Sequence, residues 1–387
     1  MSKITIISEY FPPDNGAAAE RVGAYYQYFQ DSHDVFVITA TSHHLLDEDR
    51  VGKGGLDSRI IRIKYKKKKD SRIFARLFHE IQFSCRVALQ VIKGRVNNIL
   101  IVSTPSPFLA LMALLLNKIR NQQYILDVRD LYPNAIAESG VIKQEHFLYR
   151  LLDYGMKAAY SNAVGIAYVN YNWNNIFLPW TEKSIYVPNG IDKTISSKAE
   201  TKRQNLIVYS GNFGRLYDFD FILQLAAQLQ DSTNQFLNQA KFLLIGDGVQ
   251  RNHIISEISR LGLVNVEVVG PFKKEKVNKI LLGAKIGIVS LKLDADSLKG
   301  AIPNKIYDYL DTGLSIVALL PARIDPVITA MEQVEVFTHL DWDRIIENIL
   351  SHFKAETKFY ASRKNYPFLF RDYHFKKMTL LLERSKK

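Results

Sequence analysis

The sequence predicts an α/β protein built from two doubly wound domains. Each half opens with a short β-branched strand, continues through a glycine-bearing loop and enters an amphipathic helix, at residues 4–29 and again at 205–229. This order is typical of a parallel sheet covered by helices on both faces. The chain has 387 residues, which is long for one ordinary domain and suits two of about 190 residues.

The first half contains six segments that read as strands. They occupy residues 4–8, 34–40, 59–64, 99–103, 124–128 and 163–169. Helical spacing of apolar residues lies between them, over about 21–29, after the lysines at 66–69, up to about 117, and over 148–160. A further short strand at 184–187 runs into Pro188-Asn189-Gly190, which we interpret as the hinge between the domains, and the lysine-rich residues 193–204 read as a linker.

The second half repeats the pattern with five strands, at 205–210, 241–245, 265–269, 286–290 and 315–319. Each of the first four ends in Ser or is followed by Gly and then leads to a helix, so we expect their carboxyl-terminal loops to line one crevice. From about residue 341 the sequence is charged and predicts a helix to the carboxyl terminus.

Composition indicates a protein without a membrane span or a cysteine-based site. Hydrophobic residues make up 47% of the chain, the only cysteine is Cys85, and the longest uninterrupted apolar run covers residues 108–116. The first residues enter a strand pattern directly, so no signal peptide is expected. These features predict a cytoplasmic protein that is soluble or peripheral on a membrane.

The net charge of +12 is concentrated in residues 59–95, which hold twelve Lys or Arg against Asp70 and Glu80. The segment includes Lys66–Lys69 and then an amphipathic helix pattern with interspersed arginines. Such a stretch favours an anionic membrane surface. A core-packed helix with a solvated basic edge remains an alternative, whereas nucleic acid is disfavoured because no recognition-helix, zinc-finger or aromatic RNA-binding pattern accompanies the charge.

Residues 300–320 carry the strongest candidate site. The segment is predicted to be a loop closed by Pro303, a short helix that ends at Gly313, and a buried strand. Lys305 and Asp308 fall in the first turns of that helix, where a cation and a helix amino terminus can bind phosphate and a carboxylate can accept bonds from a ribose. An ordinary helix–strand unit with two solvated charges is the alternative interpretation.

Glycine-bearing loops follow several of the predicted strands. Gly16 precedes three alanines, Gly211 and Gly214 flank Asn212 ahead of Arg215, and the pairs Gly246–Gly248 and Gly270–Pro271 follow the next two strands. Glycines let a ligand approach the backbone, and Arg215 adds a fixed positive charge, so the loop from Gly211 to Arg215 is a plausible diphosphate cradle.

Polar residues also follow the strand at 124–128. Asp127, Arg129 and Asp130 stand at its carboxyl end, the edge at which open α/β sheets bind ligands. They read either as a structural ion pair or as part of a sugar or acceptor site. No P-loop, HExxH or GxSxG pattern is present, and the acidic pair Asp294 and Asp296 is too common a pattern to predict a metal site.

Six motifs in order resemble the retaining glycosyltransferase family 4 of the GT-B fold: FPPDNGAAAERVG, LDVRDLYP, VPNGID, YSGNFGRL, LIGDG and IPNKIYDYLDTG. The resemblance is strongest to the bacterial surface-polysaccharide branch with the N-acetylfucosamine (FucNAc) transferases of O-antigen and capsule synthesis. It implies two Rossmann-like domains facing across a cleft. Residues 1–190 would bind the acceptor, 191–365 the nucleotide-sugar, and a helix in 366–387 would cross back to the first domain.

The resemblance also assigns roles to individual residues. Asp308 takes the position of a family glutamate that contacts the ribose, whereas Gly300 stands where the family has its other glutamate, whose role would fall to backbone amides or Asp296. The expected donor-binding residues are Gly16, Gly211, Asn212, Gly214, Arg215, Gly246, Gly248, Pro271, Asn304, Lys305 and Asp308. The expected catalytic and acceptor-positioning residues are Glu20, Asp127, Arg129, which replaces a common histidine, and Asp130.

The function implied is metal-independent transfer of a sugar, with retention of configuration, from a UDP-sugar such as UDP-FucNAc to a lipid-linked saccharide. No cofactor is expected, and the implied partners are an undecaprenyl diphosphate-linked acceptor and the inner membrane surface, reached through residues 59–95. Two alternatives remain at this stage: a non-hydrolysing UDP-sugar 2-epimerase, and a GT-B-shaped binding protein that has lost catalysis.

Overall fold

The computed structural model describes residues 3–14, 16–41, 58–64, 73–95, 99–104, 106–138, 140, 142–192, 203–355 and 363–384. It forms two compact units, each organised around its own parallel sheet. Unit 1 comprises Met1–Asn189 with Arg371–Lys387, and unit 2 comprises Gly190–Phe370. The predicted α/β class, with two doubly wound domains, is therefore confirmed.

Unit 1 contains a seven-stranded sheet with the order β3-β2-β1-β4-β5-β6-β7, and every neighbouring pair is parallel. The strands are β1 (Lys3–Ile7), β2 (Asp34–Ala40), β3 (Ile60–Ile63), β4 (Ile99–Thr104), β5 (Tyr124–Val128), β6 (Gly165–Tyr168) and β7 (Ser184–Tyr186). The central strands are covered on both faces and read as nearly continuous apolar runs. For that reason the sequence predicted β2 and β5 with the correct first and last residues.

Five helices of unit 1 follow in chain order: α1 (Ala17–Phe29), α2 (Ile73–Gln90), α3 (Pro107–Arg120), α4 (Asn134–Glu138) and α5 (Phe147–Asn162). A π-helical turn, Val91–Arg95, continues α2. Phe83, Leu116 and Met156 belong to one core on the α2, α3 and α5 side of the sheet, whereas α1 packs in a separate core around Tyr25. The predicted start of α1 at residue 21 was wrong, because the alanines after Gly16 favour helix and extend it to Ala17.

Unit 2 contains a six-stranded parallel sheet with the order β10-β9-β8-β11-β12-β13. The strands are β8 (Gln204–Ser210), β9 (Lys241–Ile245), β10 (Val266–Val269), β11 (Ala284–Ser290), β12 (Ser315–Leu319) and β13 (Val334–Phe337). Because all neighbours are parallel, the loops at their carboxyl ends share one edge. The sequence missed β13, a four-residue strand at the edge of the sheet, where pairing on one side makes the apolar signal weak.

The helices of unit 2 are α6 (Phe219–Gln230), α7 (Gln235–Asn238), α8 (Arg251–Arg260), α9 (Lys274–Gly283), α10 (Asn304–Thr312), α11 (Pro326–Thr329) and α12 (Trp342–Lys354). The predicted sequence of loop, short helix and buried strand at 300–320 is confirmed. Gly313 ends α10 in the left-handed region at φ 72°, and Leu314 then donates its amide to the Tyr309 carbonyl at 2.9 Å.

The carboxyl-terminal region is not one continuous helix, and that prediction was wrong. After α12 ends at Lys354, a short 3-10 turn at Pro367–Leu369 precedes the last helix, α13 (Arg371–Arg384). Pro367 cannot sit in a helix interior because its ring removes the amide donor. Helix α13 packs in unit 1, with the Phe375 ring 4.4 Å from the Tyr25 ring. Among the described helices of both units, none is long and apolar enough to cross a membrane.

Candidate functional site

Two of the predicted glycine loops lie side by side at the carboxyl edge of the unit 2 sheet. Strand β8 leads into residues 211–214 and its neighbour β9 leads into residues 246–248. The Gly211 amide donates to the Ile245 carbonyl at 2.9 Å, and the Phe213 amide donates to the Asp247 carbonyl, also at 2.9 Å. The structure therefore brings together loops that are 35 residues apart in the chain.

Close backbone approach explains why both loops contain glycine. A Cβ at Gly246 would lie 1.8 Å from the Gly211 carbonyl oxygen, and one at Gly248 would lie 2.6 Å from the Phe213 carbonyl oxygen. Neither contact is sterically possible without moving backbone. The glycines thus allow the loops to pack on each other.

Lys305 lies under the first of these loops. It belongs to the first turn of α10, is 6% exposed, and its Cε and Nζ would both lie 3.4 Å from a Cβ placed on Gly211. Its ammonium donates to the Tyr209 hydroxyl at 3.1 Å and lies 3.9 Å from the centroid of the Tyr217 ring. Within the described part of the chain no carboxylate forms an ion pair with it. The predicted cation is therefore present, but in an apolar and aromatic setting that the sequence did not indicate.

Burial changes the acid–base behaviour of this lysine. Desolvation lowers the pKa of Lys305 to about 7, and the nearby Asp308 carboxylate opposes that shift. A buried ammonium that lacks a carboxylate contact is poorly stabilised in the ligand-free protein. An anion bound against Gly211 would supply the missing negative charge, so the site favours an anionic ligand.

The amino terminus of α10 adds to the same positive potential. The helix spans nine residues from Asn304, and its cap, Pro303, makes no side-chain hydrogen bond to the first-turn amides. Asp308, one turn further along, is partly exposed and lies 3.9 Å from the Lys274 ammonium. A phosphate at the first turn and a diol beside Asp308 are compatible with this arrangement.

Gly300 has a backbone reason to be glycine. It is buried and adopts φ 77°, in the left-handed region where side chains with a Cβ are strained. The loop conformation therefore explains why position 300 is glycine and not the glutamate that the family resemblance implies. Asp296, the other candidate for that role, is exposed and pairs with Lys299 at 2.6 Å.

The remaining predicted donor residues are less closely grouped. Arg215 and Pro271 are exposed at the same sheet edge, and within the described residues Arg215 forms no hydrogen bond or ion pair. Arg251, which the sequence analysis missed, begins α8 and donates to the Gly246 carbonyl at 3.1 Å. An arginine three residues after the glycine loop, at the start of a helix, is the signal that would have identified it.

Asp127 of unit 1 is fully buried in a dense hydrogen-bond network. The guanidinium of Arg21 contacts its carboxylate at 2.8 Å, and the Tyr25 and Ser103 hydroxyls donate to it at 3.0 and 3.1 Å. Arg21 also donates to the Val187 carbonyl at 2.8 Å. The partner of Asp127 is thus Arg21, which the sequence analysis did not single out, and the contacts tie α1, β4, β5 and the segment after β7 together.

The other predicted unit 1 residues are more open. Asp130 is exposed, and Arg129 is partly buried; desolvation lowers the pKa of its guanidinium, with Asp127 and Asp130 acting in the opposite direction. Glu20, in the first turn of α1, lies 3.6 Å from Arg371. Gly16 stands directly before α1 at φ 115° and is exposed. The roles predicted for these residues and for Asp127 remain predictions.

Comparison with known proteins indicates a fold shared with glycosyltransferases. No protein-family model matches the chain. A segment of 265 residues is 24% identical to the probable glycosyltransferase WbjE of Pseudomonas aeruginosa, and this match covers 65% of the chain and 63% of that relative's length.

Solved structures match over almost the whole chain. WaaG, a glycosyltransferase involved in lipopolysaccharide biosynthesis, aligns with a TM-score of 0.63 over 96% of this chain and 93% of that one, at 11% identity. A variant of S. aureus TarM in complex with UDP aligns with a TM-score of 0.62 over 99% of both chains, at 10% identity. At such low identity these matches establish the GT-B fold and leave the activity to be argued from the site.

Proposed function

We propose that this protein is a glycosyltransferase that takes a sugar from a nucleoside diphosphate sugar. The observation that carries the proposal is the buried Lys305 beneath Gly211 at the start of α10. No carboxylate of the described residues forms an ion pair with this lysine. A diphosphate seated there would contact the lysine, the first-turn amides and the loop backbone together. UDP is the nucleotide we propose first, with Asp308 accepting bonds from its ribose.

The chemistry of the leaving group fits this setting. When the sugar departs, the bond between its anomeric carbon and the diphosphate oxygen breaks, and negative charge grows on that oxygen. Preorganised donors in a water-poor site stabilise such charge more than water does. Lys305 and the amino terminus of α10 would supply that stabilisation without a metal ion.

We propose retention of configuration. The acceptor hydroxyl would attack the anomeric carbon on the face from which the diphosphate leaves, forming the new glycosidic bond and passing its proton to the departing phosphate oxygen. No strong protein base is then required. Glu20, Arg129 and Asp130 would position the acceptor, while Asp127, which is enclosed by donors, would hold Arg21 and the surrounding segments in place.

The acceptor is proposed to be a lipid-linked saccharide of surface-polysaccharide synthesis, with undecaprenyl diphosphate as carrier and an N-acetylated sugar such as FucNAc as donor sugar. The similarity to WbjE supports glycosyl transfer, the likeness to WaaG supports this class of pathway, and the UDP in the TarM structure supports the nucleotide. A peripheral position on the inner membrane surface follows, with residues 59–95 as the basic contact. Residues 65–72, which hold the four consecutive lysines, lie outside the described residues.

The test is calorimetric titration of the purified protein with UDP, GDP, ADP and CDP, each with and without magnesium. We expect one nucleotide, UDP, to bind with micromolar or better affinity and without magnesium. Binding of none of the four would contradict the proposal. Product analysis after incubation with UDP-N-acetylhexosamines alone separates the epimerase alternative, because an epimerase converts the donor without an acceptor, whereas nucleotide binding with no turnover on any acceptor would indicate an inactive binding protein.

A further inference from the structure

Helices α2, α3 and α5 form one continuous layer on unit 1. Their inner sides fill a single core with Phe83, Leu116 and Met156, and α3 packs between the other two. At the α3–α5 contact, a Cβ on Gly155 would come within 2.9 Å of a Leu111 methyl group. Arg120 donates to the Ile92 carbonyl at 2.8 Å and so joins α3 to the turn that follows α2. The outer sides of the three helices therefore belong to one surface.

That surface is rich in large apolar side chains. Each is between 42% and 75% exposed, although the residues come from three separate helices and the turn after α2. We call them the helical apolar face: Phe78, Ile81, Leu89, Ile92, Leu115, Ile119, Phe147, Leu148, Leu151 and Tyr154. Soluble monomers rarely expose apolar patches larger than a few hundred Å², and larger ones mark binding surfaces.

Helix α5 shows the pattern most clearly. Phe147, Leu151 and Tyr154 recur at i, i+4 and i+7 and are 67%, 61% and 75% exposed. The opposite side of the same helix is buried through Met156 and Ala159. An apolar stripe at helical spacing that faces outwards has no role in the core of unit 1, and it is typical of helices that lie on a membrane surface.

The charges around this face are mostly positive. Its three helices and the turn after α2 carry the bases Arg86, Lys93, Lys118, Arg120, Arg150 and Lys157 at exposed positions. Their acids in the described residues are Glu80, which is buried, and Asp153, which pairs with Lys157 at 2.7 Å. Two copies of such a face would repel each other across a symmetric interface, whereas a bilayer with anionic headgroups complements both the charge and the apolar stripe.

We propose that the helical apolar face docks on an anionic lipid bilayer. Its aromatic and aliphatic side chains would enter the headgroup–acyl boundary while the surrounding bases contact lipid phosphates. This inference goes beyond the basic segment 59–95, because six of the ten apolar residues lie on α3 and α5, outside it. It rests on the proposed function only for its biological purpose, since vesicle binding requires no sugar transfer.

The test is sedimentation of the full chain with phosphatidylcholine vesicles and with vesicles that also contain phosphatidylglycerol. The critical variant is the triple substitution Phe147→Ser, Leu151→Ser and Tyr154→Ser, which alters only exposed side chains. The matched control is Val249→Ser with Val264→Ser, which removes two apolar residues of unit 2 that are 70% and 89% exposed. Circular dichroism and thermal unfolding should be unchanged in both.

We expect the natural chain and the control to bind the anionic vesicles in preference to the neutral ones, and the triple variant to bind them at least roughly tenfold more weakly. Equal binding by the triple variant, equal binding to both vesicle types, or no binding to either would overturn the proposal. A solution dimer that the triple substitution dissociates would overturn it in favour of a second copy of this chain.

A separate variant distinguishes this proposal from the proposed function. Lys305→Met should bind vesicles as the natural chain does but should bind UDP weakly. The triple variant should bind UDP as the natural chain does but should bind vesicles weakly. Failure of UDP binding in the natural chain would therefore count against the transferase alone. Failure of vesicle binding would count against the helical apolar face and against the peripheral membrane position, and it would leave the proposed sugar transfer untouched.

Discussion

Replacing Lys305 with methionine removes the charge beneath Gly211 while keeping an unbranched side chain of similar length. In the ligand-free protein the substitution should be tolerated well, because the lysine makes one hydrogen bond, to the uncharged Tyr209 hydroxyl at 3.1 Å, and no ion pair within the described residues. Burial lowers its pKa to about 7, so the folded state holds the charged form unfavourably. We therefore expect Lys305→Met to leave thermal stability at pH 7 unchanged or raised.

Ligand binding should respond in the opposite direction. At pH 7 about half of the Lys305 side chains carry the proton, since the pKa of the group is about 7, so protonation consumes little of the binding free energy. A hydrogen bond to a charged group contributes about 1.5–3 kcal/mol, which corresponds to a roughly 10- to 150-fold weaker Kd for UDP in the variant.

The assay is calorimetric titration of UDP at pH 7, with Lys276→Met as the matched control. Lys276 also lies over an aromatic ring, 3.5 Å from the Phe272 centroid, but its side chain is exposed. The control should bind UDP as the natural chain does. A Lys305→Met variant whose Kd stays within about twofold of the natural value would refute the placement of the diphosphate at this lysine.

Three further predictions test the electrostatics and the packing of the two units. UDP binding at pH 8 should be accompanied by uptake of a proton, because the bound phosphate raises the lowered pKa of Lys305. The binding enthalpy should then depend on the ionisation enthalpy of the buffer. The affinity for UDP should fall as the pH rises above about 7. Gly246→Ala should weaken UDP binding by roughly tenfold or more, because its Cβ would collide with the Gly211 backbone. The control Gly283→Ala, with nothing within 4 Å of its Cβ, should bind UDP normally, and equal UDP affinities of the two variants would contradict the close packing of the loops. Arg21→Met should destabilise unit 1 by about 3–5 kcal/mol, because it leaves the Asp127 carboxylate buried without its cation. Scanning calorimetry should show a lower transition temperature. The double variant Arg21→Met with Asp127→Leu should recover part of that stability, and no recovery would argue against a buried ion pair.

The sheet architecture follows closely from local sequence because strand signals are local. The segments at 34–40, 124–128, 241–245 and 315–319 have the same first and last residues in prediction and structure. Each is a short, mostly apolar run, and each is covered on both faces by helices. The edge strand Val334–Phe337 was missed because its burial is incomplete and Glu335 interrupts the apolar run.

The candidate site could be predicted only in part, because its chemistry depends on contacts distant in sequence. The residue type and helix position of Lys305 were visible, but its burial under Tyr209 and Tyr217 was not. The partner of Asp127 lies 106 residues away in Arg21. Neither residue carries a local pattern that identifies the other, so the sequence suggested a pair with Arg129, a neighbour in the chain.

The central claim is transfer of a sugar from a nucleoside diphosphate to a lipid-linked acceptor. The most direct measurement is incubation of the protein with radiolabelled UDP-N-acetylhexosamines and undecaprenyl diphosphate-linked saccharides, followed by lipid extraction and assignment of the new linkage by nuclear magnetic resonance. We predict label in the lipid fraction for one donor, an anomeric configuration that matches the donor, and loss of transfer in Lys305→Met. Label that stays entirely in the nucleotide sugar with every donor and acceptor, or a product of inverted configuration, would contradict the account.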